Sequence, residues 1–404
     1  MRRRNFVKLA LAGAAALPFA GCQATNTPGD PTDTRTPVFH VSGIPANAFT
    51  TGNRHAGIDT LLGLMGGKGL KFYRTSVAGA ENGTNGLIAA GDVVLIKVNA
   101  QWRYRGCTNT DLVRGLVQRI LEHPEGFNGE VVIVENGQGR GSLNCDTSSA
   151  YGNSAVHANA QDESHSFLWL VNSLFGDSRV SAFLLDPVAG NFIGAGDHAT
   201  DGYRRFENVS YPCFTTAGGR RVELREGIWN GTSHDANLKL INVPVLKHHD
   251  TGGSEITGAL KHVYGLVSMS DGQSSFRHYG GLGETCGKMM VSVHTPVLNI
   301  IDAIWVSHGA LAGYPASATH RSDAIVAGQD PVALDYWAAK NILYPIDNNE
   351  RHHPDFAGID AWLTGARDLI AARGGFDLES RGILVRTPTK TESAMVVHAA
   401  AAGA

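Results

Sequence analysis

The sequence predicts an α/β protein with a mainly parallel open sheet, flanking helices and an irregular inserted subdomain. Two observations carry this prediction. Several short runs are apolar nearly throughout, as strands covered on both faces are. The 404 residues also include 49 glycines, about one in eight against a norm nearer one in fourteen. The glycines show no G-X-Y period, so they indicate tight turns and shaped loops, not collagen.

Five apolar runs are predicted strands: residues 93–99, 131–135, 238–246, 298–304 and 324–328. Between the first two, residues 108–122 carry apolar side chains at helical spacing, with Thr108 or Thr110 as the N-cap. This strand–helix–strand order predicts a right-handed parallel βαβ unit. Further helices are predicted over residues 162–175 and 331–343.

The composition limits the classes of function. Hydrophobic residues make up 43% of the chain and charged residues 18%, and the net charge is −3. A disordered chain would be poorer in apolar residues and richer in charge. The small negative charge gives no electrostatic basis for a nucleic-acid partner. We therefore expect one large or two medium folded domains that do not bind nucleic acid.

The N-terminus has the pattern of an export signal. Residues 3–8 (RRNFVK) fit the twin-arginine pattern, and the apolar run over residues 9–20 is too short to span a bilayer. Small residues precede Cys22, as in a bacterial lipobox, so either Cys22 is lipidated or cleavage occurs near Ala20. We expect export by the twin-arginine machinery to the periplasm or cell surface. Membrane contact is expected only through a lipid anchor at Cys22.

The rest of the chain divides by composition. After the signal of residues 1–22, residues 23–37 predict a flexible tether, and residues 38–390 predict the α/β domain. Within that domain, residues 140–235 are rich in Asn, Ser, Gly and His and predict an insertion. Residues 391–404 predict a frayed tail. No later stretch reaches 18 apolar residues, so no transmembrane helix is expected.

Four cysteines follow Cys22: Cys107, Cys145, Cys213 and Cys286. An oxidising compartment favours two disulfides, for which three pairings exist, and buried free thiols are the alternative. The sequence has no CxxC motif, so neither a zinc ribbon nor an iron–sulfur cluster is expected.

Polar residues follow the predicted strands, where ligands bind in open α/β sheets. These residues are Lys97 and Asn99, Glu135 and Asn136, Lys247 to Asp250, Asp302, and Asp330. Their convergence would make a polar site at one edge of the sheet. The alternative for Asp330 is a helix N-cap before Pro331, and for Lys97 a stem lying along a strand margin.

Two glycine- and histidine-containing segments are further candidates. Gly137, Gly139 and Gly141 lack the dinucleotide-binding spacing but suit an anion-binding nest. In Lys247-His248-His249-Asp250, strand alternation separates His248 from its neighbours. Histidine and aspartate there would hold a divalent metal, lysine with backbone amides would bind phosphate or carboxylate, and a structural network is the third interpretation.

Three blocks resemble the exported bacterial and archaeal family called domain of unknown function 362. They are residues 94–117 (VLIKVN, then TNTDLVRGLV), 241–266 and 301–335. The resemblance implies an α/β domain, often twin-arginine export, and no defined reaction. By position it implies these site residues: Lys97, Asn99, Lys247, His248 or His249, Lys261, Asp302, Asp330 and Asp335. Some relatives carry a ferredoxin-type cysteine cluster, which this chain lacks.

The segment from Thr257 adds a physical reason for an anion. Thr257 and Gly258 lead into a short apolar helix that carries Lys261. Backbone amides at the helix start, together with Lys247 and Lys261, favour an anion, and Lys97 adds a third cation. Buried lysines are costly unless an anion meets them. Either a ligand or the internal aspartates would do so.

We therefore expect an exported, lipid-anchored enzyme acting on an anionic small molecule or glycan-derived acid. The expected catalytic residues are Lys97, Lys247, His248, His249 and Asp302. The expected ligand-binding residues are Asn99, Glu135, Asn136, Thr257, Gly258, Lys261, Asp330 and Asp335. A divalent metal would be held by His248, His249 and Asp250. The alternatives are a non-catalytic ligand- or metal-binding lipoprotein and a redox accessory protein.

Overall fold

The computed structural model describes residues 33–146, 155–249, 255–268, 280–375 and 387–402. The predicted signal with Cys22, most of the predicted tether, and Asp250 lie outside these residues.

The apolar runs form strands as predicted, and further strands lie between them. In chain order the strands are β1 Thr36–Ser42, β2 Tyr73–Arg74, β3 Asn82–Gly83, β4 Val93–Val98, β5 Glu130–Glu135, β6 Val180–Leu184, β7 Gly202–Phe206, β8 Val209–Thr215, β9 Arg221–Glu223, β10 Gly227–Trp229, β11 His234–Asp235, β12 Leu238–Val243, β13 Val245–His248, β14 Ile256–Thr257, β15 Leu298–Ser307, β16 Thr319–Gly328 and β17 Met395–Ala401.

Helices cover the faces of the sheet. They are α1 Ala56–Gly67, α2 Thr110–Leu121, α3 Phe167–Trp169, α4 Ala259–His262, α5 Leu282–Lys288, α6 Pro331–Ala338, α7 Tyr344–Asp347 and α8 Ala357–Ala372. A 3-10 turn, Val263–Leu266, continues α4, and π-helical turns continue α3, α5 and α6. In the described part of the chain, no helix has both the length and the hydropathy needed to cross a membrane.

The large sheet has the strand order β17-β1-β16-β15-β12-β4-β5-β6. Strands β15, β12, β4, β5 and β6 are parallel to one another. Strand β13 continues β12 beyond Pro244 and pairs with β15 in parallel and with β14 in antiparallel orientation. The predicted α/β class with a mainly parallel sheet and flanking helices is therefore confirmed. It brings the carboxyl ends of β4, β5 and β13 to one edge.

Helix α2 lies between β4 and β5 in the chain, as its spacing predicts, but its N-cap is Asn109. The Asn109 side-chain oxygen accepts a hydrogen bond from the backbone N–H of Leu112 at 2.9 Å. The prediction of Thr108 or Thr110 is wrong, because the Thr108 hydroxyl accepts from the Asn99 N–H at 2.8 Å instead. Asparagine caps helices at least as well as threonine.

Of the other two predicted helices, one begins later than expected and one begins at the expected residue. The helix expected from residue 162 begins at Phe167, because the Ser166 hydroxyl caps it by accepting from the Trp169 N–H at 3.1 Å. Helix α6 begins at Pro331 as predicted, and Asp330 is its N-cap.

Strand β16 runs antiparallel to β15, with Asn299 opposite Gly328 and Ser307 opposite Thr319. Asp330, just after β16, therefore lies at the opposite edge of the sheet from the ends of β4 and β5. The prediction that five strand ends converge at one edge is therefore wrong for the end of β16. The connection of residues 308–318 is too short for the helical crossover that a parallel pair requires.

The C-terminal residues that were expected to fray form β17 as far as Ala401. This strand pairs with β1 in parallel over seven residues, from Thr36 opposite Met395 to Ser42 opposite Ala401. The prediction of a frayed tail is wrong because β17 covers the edge of β1, which would otherwise present unpaired backbone groups. Strand β1 itself begins within the residues assigned to the tether.

The predicted insertion over residues 140–235 contributes β6 to the large sheet and carries a separate antiparallel sheet, β11-β10-β9-β8-β7. Its strands are short and rich in charge, and Arg204, Arg221 and Glu223 are buried within it. Buried charged residues replace the apolar alternation by which a strand is recognised in sequence.

The four cysteines of the described chain are buried and free, so the expectation of two disulfides is wrong. The Cys145 thiol hydrogen-bonds to Cys107, and burial, together with that contact, raises the pKa of Cys145 well above its ordinary value. Cys213 lies in β8 and Cys286 in α5, and burial raises the pKa of each to about 12. Cys145, Cys213 and Cys286 are therefore protonated core thiols at neutral pH.

Candidate active site

A cleft lies at the carboxyl ends of β4, β5 and β13 and is partly open to solvent. Its lining residues are Lys97, Asn99, Gln101, Trp102, Glu135, Gln138, Lys247, His249, Thr257, Lys261, His262, Tyr264 and Gly265. Seven of these are predicted site residues: Lys97, Asn99, Glu135, Lys247, His249, Thr257 and Lys261.

Lys97 is the last residue but one of β4, and its side chain is fully buried, so it does not extend along a strand margin. Its ammonium group forms a close ion pair with Glu135, donates to the Val98 carbonyl at 2.7 Å, and lies 3.1 Å from His262 Nε2. Burial lowers the pKa of Lys97 and raises that of Glu135. The pKa values of the two groups are therefore closer together than they would be in water.

The hydrogen bonds of His262 determine its tautomer. Asn242 donates its amide hydrogens to the Ala259 carbonyl and to the Asn299 side-chain oxygen, both at 2.8 Å, so Asn242 Oδ1 must accept. His262 Nδ1 lies 2.6 Å from that oxygen and therefore carries the proton. Burial lowers the pKa of His262 well below its ordinary value. His262 Nε2 is then an acceptor for Lys97.

Lys247 lies in β13 with 2% of its surface exposed. Within the described chain, its Nζ donates to two carbonyl oxygens, Gly106 at 2.7 Å and Leu311 at 3.3 Å. An ammonium has three donors, so one remains for a group in the cleft. The pKa of Lys247 is lowered to about 7, mainly by burial and in smaller part by the charge of Lys261. Lys247 is thus present in both protonation states near neutral pH.

Asn99 and Thr257 hold the walls of the cleft together. Asn99 Oδ1 accepts from the backbone N–H of Val245 at 2.9 Å, which joins the end of β4 to β13. Thr257 in β14 pairs with Lys247. Lys261 of α4 lies with its Nζ 5.7 Å from the centre of the Tyr264 ring.

The predicted anion-binding amides at the start of α4 bind an internal carboxylate. Asp335 of α6 accepts hydrogen bonds from the N–H groups of Ala259 at 2.5 Å and Leu260 at 3.0 Å. A Cβ at Gly258 would lie 2.2 Å from Asp335 Oδ1, so glycine is required there. The expectation that Gly258 and Asp335 contact the ligand is corrected, because they position α4 and with it Lys261.

The glycine nest after β5 is occupied in the same way. The N–H groups of Gly137 and Gly139 both donate to Asp186 at 2.6 Å. Asn136 beside them is fully buried and donates to the Val267 carbonyl at 3.2 Å. The nest therefore binds an anion, as its pattern predicts, but the anion belongs to the protein.

Asp302 and Asp330 do not line the cleft. Asp302 lies five residues before the end of β15 and accepts from the N–H groups of Asn109 at 2.7 Å and Ile304 at 3.0 Å. Asp330 accepts from the first turn of α6 and from Thr389 at 2.8 Å. Burial raises the pKa of each to about 7. Both are corrected to structural groups that join neighbouring segments.

His248 points away from the cleft, as strand alternation predicts, while His249 lines it. His248 Nδ1 lies 3.0 Å from His352 Nε2, and His352 Nδ1 lies 3.3 Å from Asp347. Asp347 also meets His308 Nδ1 at 3.1 Å. His248 and His249 therefore belong to different surroundings, which disfavours their binding one metal ion. Asp250, the third predicted ligand, lies outside the described residues.

Sequence reasoning missed six lining residues: Gln101, Trp102, Gln138, His262, Tyr264 and Gly265. Gln101 and Gln138 are joined by a hydrogen bond of 2.6 Å across the rim. Each missed residue lies within four positions of a predicted one, so the chain segments were found and their side-chain directions were not. Gly265 is close to Lys97, because a Cβ there would lie 2.9 Å from Lys97 Nζ.

Comparison with known proteins identifies one family. Residues 230–340 match the family model described as Domain of unknown function (DUF362). The match covers β11 to β16 and α6, with Lys247, Thr257 and Lys261 of the cleft. No curated protein and no solved structure matches the chain. Over residues 230–340, about a quarter of its length, the chain therefore resembles the domain of unknown function DUF362.

Proposed function

We propose that the protein is an enzyme that acts on a small anionic molecule in the cleft, with Lys247 as the group that transfers a proton. The observation that carries the proposal is the buried position of Lys247 in the cleft lining, because this burial lowers its pKa to about 7. A general acid or base is most effective when its pKa lies near the working pH.

The charges of the lining favour an anion. Among the lining residues are three lysines, Lys97, Lys247 and Lys261, and one carboxylate, Glu135. Glu135 is already paired with Lys97, and Lys247 donates to two neutral backbone carbonyls, those of Gly106 and Leu311. A carboxylate or another oxyanion of the substrate would stabilise the charged form of Lys247 and would raise its pKa on binding.

Lys97, Glu135 and His262 have a supporting role in this proposal. Three acceptors surround the Lys97 nitrogen, so the Lys97–Glu135 pair is held in one orientation at the base of the cleft. Polar groups held in this way stabilise charge that develops during a reaction without having to reorient.

Calorimetric titration with sulfate and with oxalate tests the proposal, because neither changes protonation between pH 6 and 9. We expect binding by the native chain and at least about tenfold weaker binding by Lys247→Met, since one oxyanion contact is lost. Lys340→Met is the control, because Lys340 lies in the turn that follows α6 and is paired with Glu392 at 2.7 Å. Undiminished binding by Lys247→Met would contradict the proposal.

The variant Lys247→Arg separates an enzyme from a binding protein. Arginine keeps the positive charge but does not release a proton near pH 7. We expect it to retain sulfate binding and to lose turnover of any uronic acid or dicarboxylate that the native chain converts in an NMR-monitored panel. Sulfate binding without any turnover by the native chain would favour the non-catalytic ligand-binding lipoprotein.

We also propose that the chain is exported by the twin-arginine route and anchored through Cys22. The basis is the sequence of residues 3–8 and the small residues before Cys22. Replacing Arg3 and Arg4 by lysine should leave the full-length protein in the cytoplasm. Cys22→Ser should move the exported protein from the membrane fraction to the soluble fraction. Unchanged fractionation of either variant would contradict that part of the proposal.

A further inference from the structure

A second cluster of titratable groups lies in the small antiparallel sheet, away from the cleft lining. His198 precedes β7, Glu223 ends β9 and His234 begins β11. One nitrogen of each imidazole and a carboxylate oxygen lie within 4.8 Å of one another. We propose that His198, Glu223 and His234 bind a divalent transition-metal ion such as zinc.

The donor atoms suit such an ion. Two imidazoles and one glutamate form a common set of three protein ligands for zinc, with the fourth position left for water or substrate. Imidazole favours zinc, copper, iron or nickel, whereas magnesium and calcium prefer oxygen ligands alone. His198 Nδ1 lies 2.6 Å from Glu223 Oε1, and His234 Nε2 lies 2.8 Å from Glu223 Oε2.

The carboxylate of the site is buried, and the two imidazoles are partly exposed to solvent. Glu223 is fully buried, whereas each of the two imidazole side chains is 23% exposed. An ion can therefore approach from solvent, with the carboxylate below it and the open coordination position outward.

Both imidazoles are oriented by packing. The His198 ring stacks on Trp229, with ring centres 3.8 Å apart and an interplanar angle of 10°. Trp229 is paired with His234 between β10 and β11, and their ring centres lie 5.0 Å apart. One aromatic residue thus fixes both nitrogen ligands relative to the sheet.

Arg204 orients the carboxylate and the loop that carries His198. Its guanidinium donates to both Glu223 oxygens, at 2.5 and 3.2 Å, and to the carbonyl oxygens of Gly194 and Asp197, at 3.0 and 2.8 Å. Partners of this kind around metal-ligating carboxylates raise metal affinity.

The Arg204 charge also opposes a cation, and the geometry limits that cost. Arg204 can keep its bond to one carboxylate oxygen while the other binds the ion. Arg221 lies 3.6 Å from Glu223 Oε1 as well, and its pairing with Asp201 at 2.7 Å compensates for part of its charge. The distances of 2.6 and 2.8 Å join the two nitrogens to different carboxylate oxygens. With zinc bonds of about 2.0–2.2 Å, the nitrogen beside the ligating oxygen would move to about 3.3 Å from it. Small rotations of the exposed rings supply this movement.

Zinc binding to the full chain, with any affinity tag removed, tests the proposal by calorimetry and by native mass spectrometry. We expect the native chain to bind zinc, and His198→Ala and His234→Ala each to weaken binding at least about tenfold. His165→Ala is a matched control. His165 is 24% exposed, lies 3.5 Å from Asp162 and stacks on Trp169 at 3.6 Å, but it lies outside the cluster.

Cobalt absorption distinguishes a direct ligand from an indirect effect. Cobalt bound to native protein and to His165→Ala should give the same visible spectrum, whereas His198→Ala should change it. Circular dichroism establishes that each variant is folded. No zinc binding by the native chain, equal binding by His198→Ala and native protein, or equal loss in all three variants would overturn the proposal.

Discussion

Lys97 and Glu135 form an ion pair between adjacent parallel strands, in which neither side chain is more than 3% exposed. The register of β4 and β5 sets Lys97 opposite Val134, directly beside Glu135. Such a pair loses the solvation of two charges, and further hydrogen bonds must compensate for the loss. The Val98 carbonyl and neutral His262 provide them for Lys97. The pair therefore couples the stability of the sheet edge to the charge of the cleft.

Breaking this pair from one side should be more harmful than removing it whole. We expect Lys97→Met and Glu135→Gln each to lower the free energy of unfolding by about 3–5 kcal/mol, because each leaves a buried group without its partner. The double variant should be less destabilised than the sum of the two single variants. Guanidinium unfolding of all four proteins measures this difference. Additive effects would show that the two groups do not stabilise one another.

Gly265→Ala tests whether the position of the Lys97 ammonium matters for the cleft. The new Cβ would lie 2.9 Å from Lys97 Nζ and 3.0 Å from Lys97 Cε, so the ammonium must move away from its acceptors. We expect weaker sulfate binding in the calorimeter.

Gly63→Ala is the matched control for this substitution. Gly63 lies exposed in α1 with no atom near its added Cβ, so alanine there should stabilise the helix by about 0.5–1 kcal/mol. It should leave sulfate binding unchanged. Equal sulfate affinity of Gly265→Ala and Gly63→Ala would contradict the proposed role of Lys97.

Asp330→Ala should affect stability and not the cleft. Asp330 caps α6 and also accepts from the Thr389 N–H, at the edge of the sheet opposite the cleft. Loss of a helix cap costs about 0.5–2 kcal/mol, and the lost bond to Thr389 places the expected value at the upper end. Thermal unfolding measures the loss, and calorimetry should show native sulfate affinity once the variant is folded. A loss of sulfate binding without a loss of stability would contradict this prediction and would indicate that Asp330 contributes to the ligand site.

Because of Asp302, the free energy of unfolding should fall as the pH rises. Burial raises its pKa to about 7, whereas an unperturbed aspartate has a pKa of 3.8. Between these values the folded chain holds a proton that the unfolded chain has released. The contribution to stability is therefore complete below pH 3.8 and is lost as the pH rises through about 7. Unfolding in guanidinium at pH 4.5 to 8 should show a shallower decline for Asp302→Asn. Equal slopes for the two proteins would contradict the raised pKa.

The sheet edge was predictable because apolar runs ending in Lys97, Glu135 and Lys247 carry both a strand signal and a polar end. Strand direction was not. The run ending before Asp330 looks like the others, and only its pairing with β15 shows that it is antiparallel. An apolar pattern reports burial on two faces and does not report the direction of the chain.

The partners of buried polar groups were also beyond the sequence. The amides before Lys261 were correctly expected to favour an anion, but Asp335, 74 positions further along the chain, fills that place. The cluster of His198, Glu223 and His234 has no short motif, because its members come from a loop and two strands of the small sheet. Long-range pairing brings such residues together, and local spacing carries no trace of it.

The protonation of Lys247 on anion binding is the most direct measurement of the proposed function. Sulfate binding at pH 8 should be titrated in two buffers of different ionisation enthalpy, so that proton uptake is obtained from the difference in heat. We expect the native chain to take up protons, because the oxyanion raises a Lys247 pKa of about 7, and Lys247→Arg to bind without this uptake. Proton uptake that is zero in the native chain, or equal in Lys247→Arg, would contradict the assignment of Lys247 as the proton-transfer group.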